Sequence, residues 1–238
     1  MSEFKVPIIG YMHSPYVEKF GIPRQPNLVK VESYIEMVEP YNDLLAFEGI
    51  NEFSHLWLIW QFHDNKNQPN SNQFRPQVRP PRLGGNQKIG VFATRSMYRP
   101  APMGLSVVQL KEVKKVGKFV RVYVTGSDLL NGTPIVDIKP YIHYSDAITD
   151  AQSGYAQDAP QIMALLWTEQ AEQQKQMLLK AEKITPRSIT ELEQILALDP
   201  RPAYQDSSER VYKMKFANFD VSFSVEDQHI MITHFIQL

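Results

Sequence analysis

The sequence contains no cysteine, which excludes disulfides and thiolate chemistry and fits a reducing compartment. It has no long apolar run either. Runs such as LWLIW at 56–60 fall far short of the roughly 20 residues that span a bilayer. The N-terminal stretch MSEFKVPIIGYMHSPY lacks a basic region followed by an apolar one, so no secretory signal is expected and a cytoplasmic location is. There is no GxxxxGK[ST] phosphate loop and no GxGxxG after a strand, which removes the common nucleotide cradles. Six histidines, at 13, 55, 63, 143, 229 and 234, show neither cysteine companions nor HExxH spacing, so no metal site is expected.

One further absence is local. From Asn65 through Lys111 there is not one Asp or Glu, while Lys66, Arg75, Arg79, Arg82, Lys88, Arg95, Arg99 and Lys111 all fall there. The whole chain is nearly neutral, with 25 basic and 26 acidic residues, so the total predicts no polyanionic partner. A concentrated patch still attracts anions whatever the net charge. The plainer reading is a solvated face balanced in space by Glu32, Glu36 and Glu39. An anionic ligand is the favoured one.

With 238 residues the chain can bury a sizeable core. Up to about residue 145 it is mostly strand-like. IIGYMH (8–13), VKVESYIEMV (29–38), HLWLIWQF (55–62), KIGVFAT (88–94), LSVVQLKEV (105–113) and KFVRVYVTG (118–126) are rich in β-branched and aromatic residues. KKVGK (114–118) suggests a hairpin between the last two. No helical pattern alternates with these strands, so an antiparallel β-barrel is predicted rather than a doubly wound sheet. The polar segment 63–85 carries four prolines and suits a loop that wraps a ligand.

Composition changes near Asp146. SDAITDAQSGYAQDAP (145–160) reads as a linker or extended arm. Helices are predicted over 168–183 and over 188–198, the second opened by a capping box of Ser188 with Glu191. Residues 210–238 resemble a three-stranded meander with turns at 217–218 and 226–228. The fold class is therefore mainly β, α+β: a barrel over 1–145 and a smaller α+β domain over 146–238.

Chemistry-bearing elements gather in the first domain: HSPY (13–16), HD (63–64), RPPRLGG (79–85), GVFATRSMYRPAPMGLS (90–106) and SDLLNGTPIVDIKPY (127–141). On one barrel they predict a shared pocket. Taken alone, His63–Asp64 is as good a polar strand end as a ligand contact. HSPY, PPRLGG, GVFATRSMYRP, PMGLS, DLLNGTP and DIKPY, in this order and spacing, resemble the TsaA-like family. Its bacterial members with a second C-terminal domain are the tRNA (adenine-N6)-methyltransferases called TrmO. DPRPAYQ (199–205) and the terminal meander extend the resemblance over essentially the whole chain.

The resemblance implies a β-barrel enzyme dependent on S-adenosylmethionine, a homodimer, and a substrate adenosine just 3′ of the anticodon of a threonine tRNA that already carries N6-threonylcarbamoyl. It places the donor among Ser14, Pro15 and Tyr16; His63 and Asp64; Arg95; Leu105; and Asp128, Leu129, Leu130 and Asn131. Arg95 suits the donor's carboxylate, Asp64 or Asp128 its hydroxyls or ammonium, and Tyr16 or Leu105 its adenine face. Arg75, Arg79, Arg82 and Arg99 are assigned to tRNA phosphate or the threonylcarbamoyl carboxylate. The proton acceptor stays open between Asp137, His63 and the tRNA itself, with Lys139 or Arg95 as competing partners for Asp137. No metal is required.

Two positions depart from the family pattern: Ala101 stands where an asparagine is usual, and Asn131 where an aspartate is. Asn and Asp share turn-forming ability, which makes shape rather than charge the expected role at 131. Arg201, Pro202 and Tyr204 suit a structural turn better than a tRNA or subunit contact. The residues alone leave open a non-catalytic RNA- or nucleotide-binding barrel, and a methyltransferase acting on another substrate.

Overall fold

Strict alternation of inward and outward side chains builds the first sheet. The computed structural model describes residues 5–65, 74–201 and 210–238; Lys66, Pro202 and Tyr204, named above, lie outside these. Strands β1 (Gly10–His13), β2 (Glu32–Met37) and β3 (His55–Gln61) are followed by the short pair β4 (Gln77–Val78) and β5 (Ile89–Gly90). Next come β6 (Met103–Val116), β7 (Phe119–Thr125) and β8 (Pro134–Pro140). In β7 the residues Val120, Val122 and Val124 are buried while Arg121 and Tyr123 face outward, the period-2 pattern of a half-buried strand.

Six strands bond in the cyclic order β1-β2-β7-β6-β3-β8, and β8 pairs back onto β1 through Gly10 opposite Ile135, so the sheet closes into a barrel. Every neighbour is antiparallel. Closure leaves no sheet edge to protect. Met12, Ile35, Leu56, Leu58, Val122 and Ile135 are fully buried inside it.

The stretch 88–94 departs from the strand expected there. Only Ile89 and Gly90 pair, with Val78 and Gln77; Val91–Ala93 then form a 3-10 turn. The Thr94 N–H and its hydroxyl both donate to the Val91 carbonyl, which turns the chain back before the ladder can extend. This side-chain competition for the backbone is characteristic of threonine.

Beyond the barrel lie α1 (His143–Asp146), β9 (Ala164–Trp167), α2 (Glu169–Lys180), α3 (Pro186–Ala197), β10 (Tyr212–Phe216), β11 (Phe219–Glu226) and β12 (His229–Gln237). Strands β10, β11 and β12 form the meander, turning at Ala217–Asn218 and Asp227–Gln228 with positive φ at Ala217, Asp227 and Gln228. The unforeseen strand β9 adds to β12 in parallel. Helix α3 starts earlier than the Ser188 box predicts: Thr185 is the cap, accepting from the Ser188 N–H, and Pro186 follows it. Proline costs nothing at the first helical position, where its missing N–H has no intrahelical partner. Glu191 turns away from the cap and accepts the Glu32 N–H instead.

A second core lies between this sheet and its helices, containing Leu192, Leu196, Phe223 and Phe235. The first 31 residues contribute to it through Tyr16, Val29 and Val31. Each buried valine is worth about 1.5–3 kcal/mol, so the two sheets share stabilisation across residues 16–31. Gly21, at φ +91°, lets this segment lie against the second sheet, since a Cβ there would fall 2.2 Å from Met214 Sδ. Only glycine adopts that backbone freely.

Tyr16 is 3% exposed, and its hydroxyl has no hydrogen-bond partner among the described residues. Burial, with the charges of Asp128 and Glu191 adding, pushes its ionisation far above the usual phenol range. Removing an unsatisfied buried hydroxyl relieves its desolvation cost, so Tyr16→Phe should raise stability by about 1 kcal/mol in urea denaturation. Tyr16→Ala should lose about 3–5 kcal/mol by opening a cavity. A Phe variant markedly less stable than wild type would show that the hydroxyl is bonded after all.

Candidate functional site

The antiparallel register brings four distant stretches to one end of the barrel. Gln61 at the close of β3 lies opposite Met103 at the start of β6, Thr125 at the end of β7 opposite Gln109, and Ile135 beside Trp60. Around that end is a cavity of about 490 Å³, a volume typical of small-molecule sites.

Its aromatic wall is Trp57, Trp60 and Phe62. The Trp60 indole N–H donates to Ser106 Oγ at 3.0 Å, and the Ser106 hydroxyl donates to Asp128 Oδ1 at 2.6 Å. A relay of this kind fixes the ring and the carboxylate together. Gly104 makes room for the indole, because a Cβ there would fall 2.3 Å from Trp60 Cε2. Burial pushes the Asp128 carboxyl up to about 6, against the Ser106 hydrogen bond and the Arg95 charge that pull it down.

The rim is cationic. Arg95 is exposed and donates to Gln25 Oε1 at 2.5 Å, and Arg99 donates to the Thr94 carbonyl at 2.9 Å. Lys19 pairs with Asp64, its ammonium 3.4 Å from Oδ2, and also donates to the Asp64 carbonyl. Burial lowers the His63 pKa; Asp64 opposes this and Lys19 adds to it. Most of the imidazole is therefore neutral at pH 7, able to accept a proton.

Of the residues expected to hold the donor, His63, Asp64, Arg95, Leu105, Asp128 and Leu130 line this cavity. Ser14, Pro15 and Asn131 stand behind the wall. Ser14 N–H donates to Asn131 Oδ1 at 3.2 Å, Ser14 Oγ donates to the Leu129 carbonyl at 2.8 Å, and Asn131 N–H donates to the Tyr16 carbonyl at 2.8 Å. A carboxylate at 131 could accept the same Ser14 bond, which accounts for asparagine at that position. Two side chains are elsewhere. Leu129 is fully buried in the barrel core, and the Tyr16 ring belongs to the second core. Tyr16 therefore offers the cavity no flat face, whereas Trp57 and Trp60 are among the residues that line it.

Among the arginines expected to face tRNA, Arg99 lines the cavity. Arg75 lies over the Tyr98 ring at 5.9 Å, Arg79 is exposed, and Arg82 donates to the Asp158 carbonyl of the segment linking the sheets. Asp137 is not on the cavity wall: it pairs with Lys139 at 3.3 Å and accepts the Ile138 N–H. On β8 it lies opposite Ile59, whose neighbour on the other side is the cavity-lining Leu105.

The acids that could have balanced the basic stretch are engaged elsewhere. Glu32 pairs with Arg187 at 2.5 Å, Glu36 with Arg121 at 2.7 Å, and Glu39 accepts from Asn42 at 3.2 Å. Among the described residues, none of Arg75, Arg79, Arg82, Lys88, Arg95 or Arg99 forms a salt bridge.

Two family models match the chain: the tRNA-methyltransferase O N-terminal domain over residues 11–147, and the TrmO C-terminal domain over 160–237. The chain belongs to the TrmO family. It is 44% identical over 231 residues to the tRNA (adenine(37)-N6)-methyltransferase of Escherichia coli strain K12, covering 95% of both proteins. It is 43% identical over 215 residues to the Pseudomonas aeruginosa protein named "Putative S-adenosylmethionine-dependent methyltransferase RcsF", covering 90% of this chain and 89% of that one. The crystal structure of TrmO from Pseudomonas aeruginosa superimposes with a TM-score of 0.80 at 34% identity, covering 100% of this chain and 99% of that one.

Sequence reading missed the wall formed by Lys19, Ile22, Pro23, Arg24 and Gln25. The available signal was KFGIPRQ (19–25), a Gly- and Pro-containing turn carrying two cations. It also passed over Trp57 and Trp60, treated there as strand residues.

The raised Asp128 pKa has a definite sign. Its folded value, about 6, exceeds the ordinary 3.8, so the folded state holds the proton longer than the unfolded chain does. Stability from this group is full below the ordinary value and is lost as pH rises through about 6. Urea denaturation at stepped pH should therefore show Asp128→Asn gaining on wild type between those limits. A gap that stays constant across them would mean that the carboxyl titrates normally.

Proposed function

We propose that this chain transfers the methyl group of S-adenosylmethionine to N6 of adenosine 37 of tRNA, and that its substrate is a threonine tRNA whose N6 already bears a threonylcarbamoyl group. The observation that carries this reading is the common cavity. His63, Asp64, Arg95, Leu105, Asp128 and Leu130 come from well-separated parts of the chain and line one hollow. The chemistry of those groups fits the donor. Arg95 is placed for a carboxylate and Asp128 for an ammonium or ribose hydroxyls. The faces of Trp57 and Trp60 suit adenine or a sulfonium cation.

The bound donor supplies an electrophilic methyl open to in-line displacement. The protein's part is to align the attacking nitrogen and to take up its proton. An N6 acylated as a urea is a weak nucleophile with a comparatively acidic N–H. His63, neutral and on the cavity wall, is the acceptor we assign. Arg99, also on the wall, is assigned to the threonylcarbamoyl carboxylate. Arg75 and Arg79 outside it are assigned to phosphates, and Arg82 steadies the segment that carries Asp158.

Residues 1–145 form the domain that holds the donor, and 146–238 the smaller domain braced against it. The protein acts as a cytoplasmic homodimer; Tyr144 and Ile148, 91% and 70% exposed, support burial against a second copy.

Incubating the pure protein with isotopically labelled donor and tRNA, followed by mass spectrometry of the hydrolysed nucleosides, should place the label on N6-threonylcarbamoyladenosine. Bare tRNA should stay unlabelled; equal labelling of unmodified adenosine would refute the substrate assignment. His63→Gln should slow single-turnover transfer by about 10²- to 10⁴-fold at saturating donor and tRNA. An unchanged rate would exclude His63 as the acceptor.

A further inference from the structure

Two large aromatic side chains sit outside the cavity and are largely exposed. Phe92 and Phe74 are 72% and 56% exposed, yet their rings stack on one another with centroids 6.0 Å apart and planes 27° off parallel. Exposed apolar surface of this kind marks interaction sites when it is clustered.

The pair is held by backbone. Gln77 and Val78 bond to Gly90 and Ile89, and the Val91 N–H donates to the Pro76 carbonyl at 2.9 Å. Val91 itself is 1% exposed and anchors the lobe. The turn closed by Thr94 onto the Val91 carbonyl then relates Phe92 to Arg95 on the cavity rim. Three residues span at most about 11 Å, so the rings lie within a few nucleotides' reach of the cavity.

The charge around the rings decides the occupant. Arg75 adjoins Phe74, and Arg79 and Lys88 lie between the two phenylalanines in sequence, in a stretch without one acid. None of these three forms a salt bridge with another described residue. An acidic protein surface would answer the charges but leave the ring faces unused. Duplex RNA would answer the charges with its base faces already stacked. An unpaired nucleotide offers both a phosphate and a free flat face.

Resting on the functional reading above, we propose that Phe74 and Phe92 form a stacking platform for an unpaired base of the tRNA anticodon loop, beside the cavity that receives the adenosine to be methylated. The platform is a positioning device: it holds the loop so that the target nucleotide alone enters the cavity.

The test compares two RNAs by fluorescence anisotropy at one fixed salt concentration: a hairpin with the anticodon-loop sequence and a fully paired duplex of equal length. Phe92→Ala and Phe74→Ala should each weaken hairpin binding by about 5- to 150-fold, the range for loss of one base–aromatic stack. Phe92→Tyr should retain wild-type hairpin affinity and Phe92→Leu should not, because leucine keeps apolar area without a flat face. Duplex binding, and adenosylmethionine binding by calorimetry, should match wild type in every variant, which also shows that each is folded. The platform is overturned if the alanine variants bind the hairpin as wild type does, or if leucine restores binding fully. It is equally overturned if sedimentation shows that the substitutions dissociate a dimer, making the rings an interface between copies. Failure of the wild-type protein to bind hairpin or tRNA at all would instead overturn the functional reading, and the platform with it.

Discussion

Three hydrogen bonds between residues 14–16 and 129–131 hold the functional end of this molecule together. Ser14 N–H to Asn131 Oδ1, Ser14 Oγ to the Leu129 carbonyl, and Asn131 N–H to the Tyr16 carbonyl join turns more than a hundred residues apart. From that junction the Pro15 carbonyl reaches on to accept the Ala217 N–H of the second sheet, while Asp128 and Leu130 face the cavity. The same short turn therefore sets the cavity wall, braces the barrel mouth and fastens the smaller sheet. The Ser14 Oγ bond is part-buried, where an unpaired hydroxyl would be costly.

Charge is organised by the same folding. The protein is nearly neutral in total, yet several of its acids are committed to other cations: Glu36 to Arg121 on neighbouring strands, Glu32 and Glu191 to Arg187 on α3. That leaves the cations of the 75–99 stretch without a salt bridge to another described residue, and local potential rather than net charge governs what they attract. Asp128 is the counterpoint. It is the one carboxylate behind this rim that is pushed toward neutrality by burial, and a bound cation would draw it back to its charged form.

The limits of reading residues in order are clearest at two places. KIGVFAT has a strand's composition, but Thr94 captures the Val91 carbonyl and makes a turn of it. Tyr16 belongs to a motif that suggests a ligand contact, yet the loop that follows carries its ring into the second core. In each case a local hydrogen bond or a long-range apolar contact outweighs the propensity of the segment. The strands of the barrel and the terminal meander, by contrast, were legible because alternation of Val, Ile and aromatics with polar residues has one stable solution on a half-buried sheet.

What the sequence determined by itself is therefore most of its strands, its hairpin and meander turns, the two long helices, the acid-free basic stretch, and motifs whose order names a family. Which of those motif residues touch a ligand was decided only by the tertiary structure, through barrel closure and the register of β3, β6 and β8. The loop 19–25 and the indoles of Trp57 and Trp60 entered the site in the same way. The physical reason is that propensity acts over a few neighbouring residues, whereas a cavity is defined by contacts between residues far apart in the chain.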